Sequence, residues 1–254
     1  MSQWVRKGIR TGIKTTRYPA AAETAPGVSP GLPVGGTLAA SFPAGRCPTD
    51  AIRQTSDMVA VDYRRCIHCF RCGRGVPTPL EWKPGYEWAA LPEQRQNPQS
   101  QLGDAFAHSI NIIVVDVGDC GACLHEVKQL NNPYYNMHRL GFFLTPTPRL
   151  ADILLVVGPV TDHMRLPLQK TYDAMPTPKR VVAVGACALS GSVFGPSFVC
   201  CGGVKDVLPV DVEVPGNPPP PLAILHGLLV AVGRKQPAPI ISPATAASQE
   251  VTTQ

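Results

Sequence analysis

At 254 residues and 27.1 kDa the chain is one large domain, or a medium domain with a small companion. Its 44% hydrophobic content supplies a core, and 16% charged residues are too few for a disordered or supercharged protein. The longest apolar run, residues 222–232, contains His226 and is too short to span a bilayer, and the N-terminus has neither a cleavable signal nor a twin-arginine leader. The expectation is a soluble or peripheral protein on the cytoplasmic side.

The net charge of +5 sits in one place. Residues 1–17 carry Arg6, Lys7, Arg10, Lys14 and Arg17 and no acid, and the rest of the chain balances 18 basic against 18 acidic residues. Trp4, Val5, Ile9 and Ile13 recur near helical spacing, so this arm reads as a short basic amphipathic helix. It is suited to an anionic membrane surface or a partner's groove; the plainer alternative is a solvated terminus. Outside the arm there is no basic stripe or aromatic-rich motif, which argues against nucleic acid.

Residues 18–45, rich in Pro, Gly and Ala without periodicity, read as an extended wrap or linker. Residues 46–80 form a compact cysteine-rich unit with a strand expected over 58–63. Residues 81–108 are irregular again, a second linker in which Trp82, Tyr86 and Trp88 are available to pin it down. From residue 109 the texture changes. The apolar run 110–117 suits a strand buried on both faces, and 124–130 reads as a helix stopped by Asn131-Asn132-Pro133. Further strands are expected at 141–145, 152–157, 180–184 and 207–214, and helices at 165–174 and 222–232. This alternation predicts an α/β fold, a doubly wound parallel sheet over 109–234, with a loose tail over 235–254. In such a sheet Cys120, Cys187 and Asn217 each follow the carboxyl end of a strand, where ligand crevices form.

Nine cysteines without a secretory signal point to metal ligands or reactive thiols rather than disulfides. Cys66-Ile67-His68-Cys69-Phe70-Arg71-Cys72 is an overlapping C-x-x-C-x-x-C, whose thiolates can grip three corners of a cubane. Two-cluster ferredoxins continue such a run to a fourth Cys-Pro whose thiolate binds the other cluster. Here Val76 replaces the cysteine before Pro77, and Thr37, Ala40 and Pro43 replace the triplet before Cys47-Pro48. These losses remove all four ligands of one cluster and spare those of the other. The expectation is one 4Fe-4S cluster held by Cys47, Cys66, Cys69 and Cys72, with zinc the poorer fit. Cys120-x-x-Cys123 alone would also suit a thioredoxin-like pair. Glu126, one turn on, reads equally as a helix-start surface carboxylate or a proton-relay group. His68 and His125 read as hydrogen-bond donors beside the ligands.

The cysteine-rich segment, with Arg6-Lys7-Gly8-Ile9-Arg10-Thr11-Gly12 running to Tyr18-Pro19, resembles the ferredoxin-like iron–sulfur subunits of formate hydrogenlyase and respiratory complex I. In those families the amphipathic start runs along the membrane arm. A second resemblance covers about residues 109–234. It rests on Asp119-Cys120-Gly121-Ala122-Cys123-Leu124-His125-Glu126, Pro148-Arg149-Leu150-Ala151-Asp152, Met175-Pro176-Thr177-Pro178-Lys179, Gly185-Ala186-Cys187-Ala188-Leu189-Ser190-Gly191 and Leu208-Pro209-Val210-Asp211 through Pro215-Gly216. These motifs are similar to the small subunit of membrane-bound group 4 NiFe hydrogenases and the 20 kDa subunit of complex I.

The resemblance implies a flavodoxin-like domain joined to a half-degenerate ferredoxin-like one. It also implies a second 4Fe-4S cluster at Cys120, Cys123 and Cys187, electron transfer toward a partner large subunit, and contacts with membrane-arm and other ferredoxin-type subunits. It departs at one position: the family has Pro-Gly-Cys-Pro-Pro where this chain has Pro215-Gly216-Asn217-Pro218-Pro219. Either Cys200 or Cys201 supplies the fourth ligand, or the Asn217 amide or a water does, or no cluster forms. The alternatives to an electron-relay subunit are a 20 kDa-type subunit contributing to a quinone site and a scaffold that has lost its second cluster.

Overall fold

A computed structural model of the chain describes residues 2–22, 31–37, 44–54, 58–75, 80–92 and 108–238. The basic arm is helix α1 (Gln3–Thr11), which buries no residue and leaves Trp4 and Ile9 exposed; Ile13, just beyond it, is 92% exposed. The chain is anchored next: the Thr16 N–H donates to the Tyr134 carbonyl and Tyr18 is buried.

Proline and glycine in the first expected linker do not prevent pairing. Its described residues supply β1 (Leu32–Pro33) and β2 (Gly36–Thr37), both short. With β3 (Ile52–Gln54) and β4 (Met58–Val61), β2 builds a small antiparallel sheet in the order β2-β4-β3, while β1 pairs with β5 (Trp82–Lys83). Val59, Val61 and Leu80 are the small core of this region. Strand β4 stops short of the expected residue 63 because Asp62 turns the chain, its carboxylate accepting the Arg64 N–H at 3.1 Å.

The continuous apolar runs of the second half form five strands with helices between them. In chain order these are β6 (Ile110–Asp116), α2 (Ala122–Gln129), β7 (Phe142–Leu144), β8 (Ile153–Val157), α3 (Asp162–Ala174), β9 (Arg180–Val184), α4 (Ala186–Ser190), β10 (Val212–Val214) and α5 (Pro221–Ala231). The sheet order is β10-β9-β8-β6-β7 and every pair is parallel, so the first strand lies between the second and third, as in flavodoxin-like doubly wound sheets. Every residue of β8 and β9 is buried, because helices cover both faces: Ile112, Leu155 and Val182 face α2 and α5, and Leu154, Val156 and Val181 face α3 and α4.

The strand expected from residue 207 begins only at Val212. Residues Val204–Asp206 form a 3-10 turn, and Pro209 has no N–H to give a ladder. The buried Asp211 carboxylate instead accepts the Val181 N–H at 2.7 Å and the Arg180 guanidinium at 3.1 Å.

Helix α5 is apolar on all sides and wholly buried, so it needs a cover on each side. The second expected linker supplies one: Tyr86, Trp88 and Ala89 pack with Tyr18 in the same apolar layer as α5. His226 fixes the seam, its Nδ1 accepting the Ala89 N–H and its Nε2 facing the Gln236 carbonyl, both at 3.1 Å. Burial lowers its pKa, so the ring is neutral and donates from Nε2. At Gly227 an added Cβ would stand 2.4 Å from Val214 Cγ2, so the glycine sets how closely α5 approaches β10. The expected tail starts tethered, with Lys235 paired to Glu87 at 2.9 Å and the Ala238 N–H on the Ala89 carbonyl; residues 239–254 and 93–107 lie outside the described residues. Among the described residues no helix is long and apolar enough to cross a membrane.

Candidate metal centres

The C-x-x-C-x-x-C loop follows the Asp62 turn. His68 and Phe70 take left-handed backbone conformations (φ 53° and 60°), strained for residues with side chains, and they alternate with the cysteines. These reversals let Cys66, Cys69 and Cys72 line a single cavity. Cys47, directly after the 3-10 turn Ala44–Arg46, lines it too. Its sulfur accepts the Ala51 N–H at 3.3 Å, and Thr49 donates to the Arg65 carbonyl at 2.7 Å, tying the two stretches together. Pro33, Ile52, Val61, Phe70 and Trp82 form much of the cavity's wall.

Burial pushes the Cys66 thiol up to about 12, against a backbone N–H that lowers it, and the nearby Cys72, Cys47 and Cys69 sulfurs push it further up. Cys72 is raised in the same way. Thiolates this close repel one another, and they ionise together only around a cationic centre. Among the described residues no three His, Cys, Asp or Glu groups converge on a single ion. A cubane asks something different of its donors, since each thiolate binds a different iron.

The second set lies at the carboxyl edge of the sheet. Asp116 accepts the N–H groups of Gly118 and Asp119, and Asp119 accepts those of Gly121 and Leu124, which fixes Cys120 in an exposed turn and starts α2. Cys123, one residue into α2, is buried under Gly185, where an added Cβ would stand 2.6 Å from its sulfur. Gly185 therefore lets this sulfur approach the start of α4, which carries Cys187. Burial raises the Cys123 thiol, and Asp119, Cys187 and Cys120 add to the rise. Burial likewise raises Cys187; the Ser192 hydroxyl draws it down, and Cys120, Asp119 and Cys200 raise it.

Cys120, Cys123 and Cys187 thus stand within electrostatic reach of one another, and buried Cys200, whose thiol donates to the Gly202 carbonyl at 3.9 Å, is the weakest of the charges felt by Cys187. Its neighbour Cys201 goes elsewhere: its N–H donates to the Val160 carbonyl at 2.7 Å and it packs against the apolar layer beneath α3. Asn217 is partly exposed, next to Gly216, whose carbonyl accepts the Ala186 N–H at 2.8 Å above α4. Glu126 is raised by burial and is felt by Cys123.

Each set carries one buried polar atom that closes no aligned hydrogen bond and has a cysteine sulfur beside it: Trp82 Nε1 at Cys72, and Ser192 Oγ at Cys187. Leaving such groups unpaired is costly. Thiolate sulfurs would accept from both, so the soft donor sets and their surroundings fit iron–sulfur clusters. His68 is no ligand here; its ring is wedged edge-on between Trp82 (5.8 Å) and Trp88 (5.9 Å), and burial pushes its pKa down to about 4.

Three bonds between residues distant in sequence join the loop to the sheet edge. Arg64 Nε donates to Glu213 Oε2 at 2.7 Å, Ser190 Oγ to the Arg64 carbonyl at 2.9 Å, and Trp88 Nε1 to the Pro215 carbonyl at 2.7 Å. The sequence marked Trp88 as an aromatic in an otherwise irregular stretch and Ser190 and Pro215 as parts of motifs, but none of these pairings.

Residues 120–231 match the family described as NADH ubiquinone oxidoreductase, 20 Kd subunit. Formate hydrogenlyase subunit 7 of Escherichia coli (strain K12) is 34% identical over 163 residues, which are 64% of this chain and 60% of that protein. The probable membrane-bound hydrogenase subunit mbhJ of Pyrococcus furiosus is 41% identical over 133 residues, 52% of this chain and 80% of that protein. Among solved structures, a chain of the membrane-bound sulfane sulfur reductase, an archaeal respiratory membrane complex, aligns with 24% identity and a TM-score of 0.45, covering 57% of this chain and 84% of that one.

Proposed function

This chain belongs to the NADH ubiquinone oxidoreductase 20 Kd subunit family, and we propose that it is an electron-transfer subunit of a membrane-bound, hydrogenase-like or complex I-like oxidoreductase. It relays electrons between a ferredoxin-type cluster and a proximal cluster beside a partner large subunit that carries the active site. The observation that carries this reading is the pair of cysteine sets, one in a single cavity and one at the sheet edge, held in one body by direct bonds.

Cys47, Cys66, Cys69 and Cys72 hold the first 4Fe-4S cluster; Cys120, Cys123 and Cys187 hold the second, with Cys200 as its fourth ligand. When bound, each cluster supplies a one-electron couple whose potential follows its hydrogen bonds, charge and burial. The chain's own part is to fix that environment. Ile52, Val61 and Phe70 wall the first set, Gly185 admits the Cys123 sulfur, and the Ser192 hydroxyl stands ready to donate to a ligating Cys187 sulfur. Cys200 is favoured over Asn217 because it is buried within electrostatic reach of Cys187 and because a thiolate suits iron better than an amide oxygen.

Iron and sulfide analysis of the purified chain tests this reading, with an expected content of about eight irons per chain. About four would support the scaffold alternative. Cys200→Ala is expected to abolish the sheet-edge EPR signal and Cys201→Ala to leave it. If neither alters it and Asn217→Cys changes it to an ordinary signal, Cys200 is not the ligand.

The relatives' names, a formate hydrogenlyase subunit and a membrane-bound hydrogenase subunit, support a place among other subunits of a membrane-bound complex; membrane-arm, large-subunit and other ferredoxin-type partners and a peripheral position on the cytoplasmic side complete the proposal. Helix α1 is the membrane-facing candidate, since its apolar residues are exposed beside basic ones. Deleting residues 2–17 is expected to weaken co-purification with the complex in moderate salt while leaving iron content unchanged. Undiminished co-purification would remove the arm from this role.

A further inference from the structure

We propose that Trp82 is a positioning residue for the first cysteine set: its indole N–H donates to the Cys72 sulfur and raises the reduction potential of the cluster held there. The proposal rests on the reading that Cys47, Cys66, Cys69 and Cys72 hold a cluster, and goes beyond it by assigning a group that is not a ligand.

Trp82 reaches the cavity from outside the cysteine loop. It begins β5, whose pairing with β1 fixes its backbone, and its side chain forms part of the wall that the four cysteines share. The ring has little freedom to turn, being stacked on Phe70 at 4.4 Å and 27° and met edge-on by His68 at 5.8 Å. Phe70 and His68 are themselves the left-handed residues between the cysteines, so the indole is registered against the ligand loop.

Its polar edge points into this packing. Nε1 is buried and closes no hydrogen bond among the described residues, and Cys72 and the indole line the same cavity, so the nearest use for this donor is a cluster-bound sulfur. Nε1 lies against the backbone next to Cys72, since a Cβ added at Gly73 would meet it at 3.4 Å, van der Waals contact.

The sign follows from charge. Reduction adds an electron that is shared with the ligating sulfurs, and a hydrogen bond to a more negative sulfur is stronger. A donor fixed at Cys72 therefore stabilises the reduced state more than the oxidised one. The cations nearby cannot substitute for it. Arg71 and Arg74 are exposed, where solvent and salt screen them, and Arg74 lies over the Phe70 ring at 5.4 Å rather than at a sulfur.

The test is Trp82→Phe in the full chain, which keeps an aromatic ring for Phe70 and removes the N–H. Iron content and the sheet-edge potential are expected to stay as they are, while the potential of the first cluster falls. A tenfold lower ratio of reduced to oxidised cluster at fixed poise corresponds to about 59 mV for one electron. An unchanged potential with iron intact overturns the proposal. Independently of any variant, chain labelled with indole-¹⁵N tryptophan should show a weak nitrogen hyperfine coupling to the reduced first cluster, and its absence overturns the proposal too. If the unaltered chain holds no iron at these four cysteines, the cluster reading itself fails, and the iron analysis identifies that outcome separately.

Discussion

Cys66→Ser should strip the first cluster, about four of the eight irons expected per chain, and leave the sheet-edge signal in place. Cys66 is the buried member of its set, and a serine oxygen in its place is a hard ligand on a soft-ligand centre. The two sets share no cysteine, so the loss is local. It should also loosen the small sheet, because Val59, Val61 and Leu80 are a slight core for β2, β3 and β4, and ligand bonds to a bound cluster are folding energy there. Amide exchange is expected to quicken in β3 and β4 while β8 and β9 stay protected. Cys47→Ser should behave the same way, since its sulfur lines the same cavity. An unchanged iron count and spectrum in either variant would falsify the crossed-ligand assignment.

Arg64→Met is expected to destabilise the chain by about 3 kcal/mol, because it strands a buried carboxylate. Glu213 has a side chain only 3% exposed, and Arg64, at 2.7 Å, is its cation. Burial already raises the Glu213 pKa and Arg64 opposes that rise, so the variant's carboxyl holds its proton to higher pH. The folded state then binds more protons than the unfolded one, and stability falls as pH rises from the ordinary carboxylate range through the raised folded pKa. The penalty should therefore be larger at pH 8 than at pH 5. The double variant Arg64→Met, Glu213→Gln should recover part of it. The apparent thermal midpoint of the loaded chain, with amide exchange at β10, reads the effect. Equal penalties at both pH values would show that the charge of Glu213 is not what Arg64 serves.

The same pair explains why the two halves behave as one body. Arg64 sits two residues before Cys66, and Glu213 is in the strand leading to Asn217, so the bond between them sets the first cysteine set against the sheet edge. The carbonyl of Arg64 takes the Ser190 hydroxyl, at the end of the helix that carries Cys187. Neither half of the sequence signals the other. Both contacts arise only when the loop docks.

What could be read along the chain depended on local order. The runs Ile153–Val157 in β8 and 181–184 in β9 are continuously apolar because helices cover both faces, and Cys120, Cys187 and Asn217 follow strand ends by count alone. The spacing of Cys66, Cys69 and Cys72, and the matching gaps around Cys47, also need no third dimension. Where the outcome depended on a partner far away in sequence, only the tertiary structure decided it. Residues 207–211 are apolar enough for a strand but bend to give the Asp211 carboxylate to Arg180 and Val181. Tyr86, Trp88, Ala89 and Ala90 lie in a stretch without periodicity yet are buried, because α5 is apolar on every side and requires a cover. Adjacent Cys200 and Cys201 look alike in sequence; the first turns its thiol to the Gly202 carbonyl within electrostatic reach of Cys187 and the second packs against the layer under α3, because successive side chains in extended chain point opposite ways. Trp82 has the same origin: its composition marked an aromatic in a loop, and the pairing of β5 with β1 carried its N–H to Cys72.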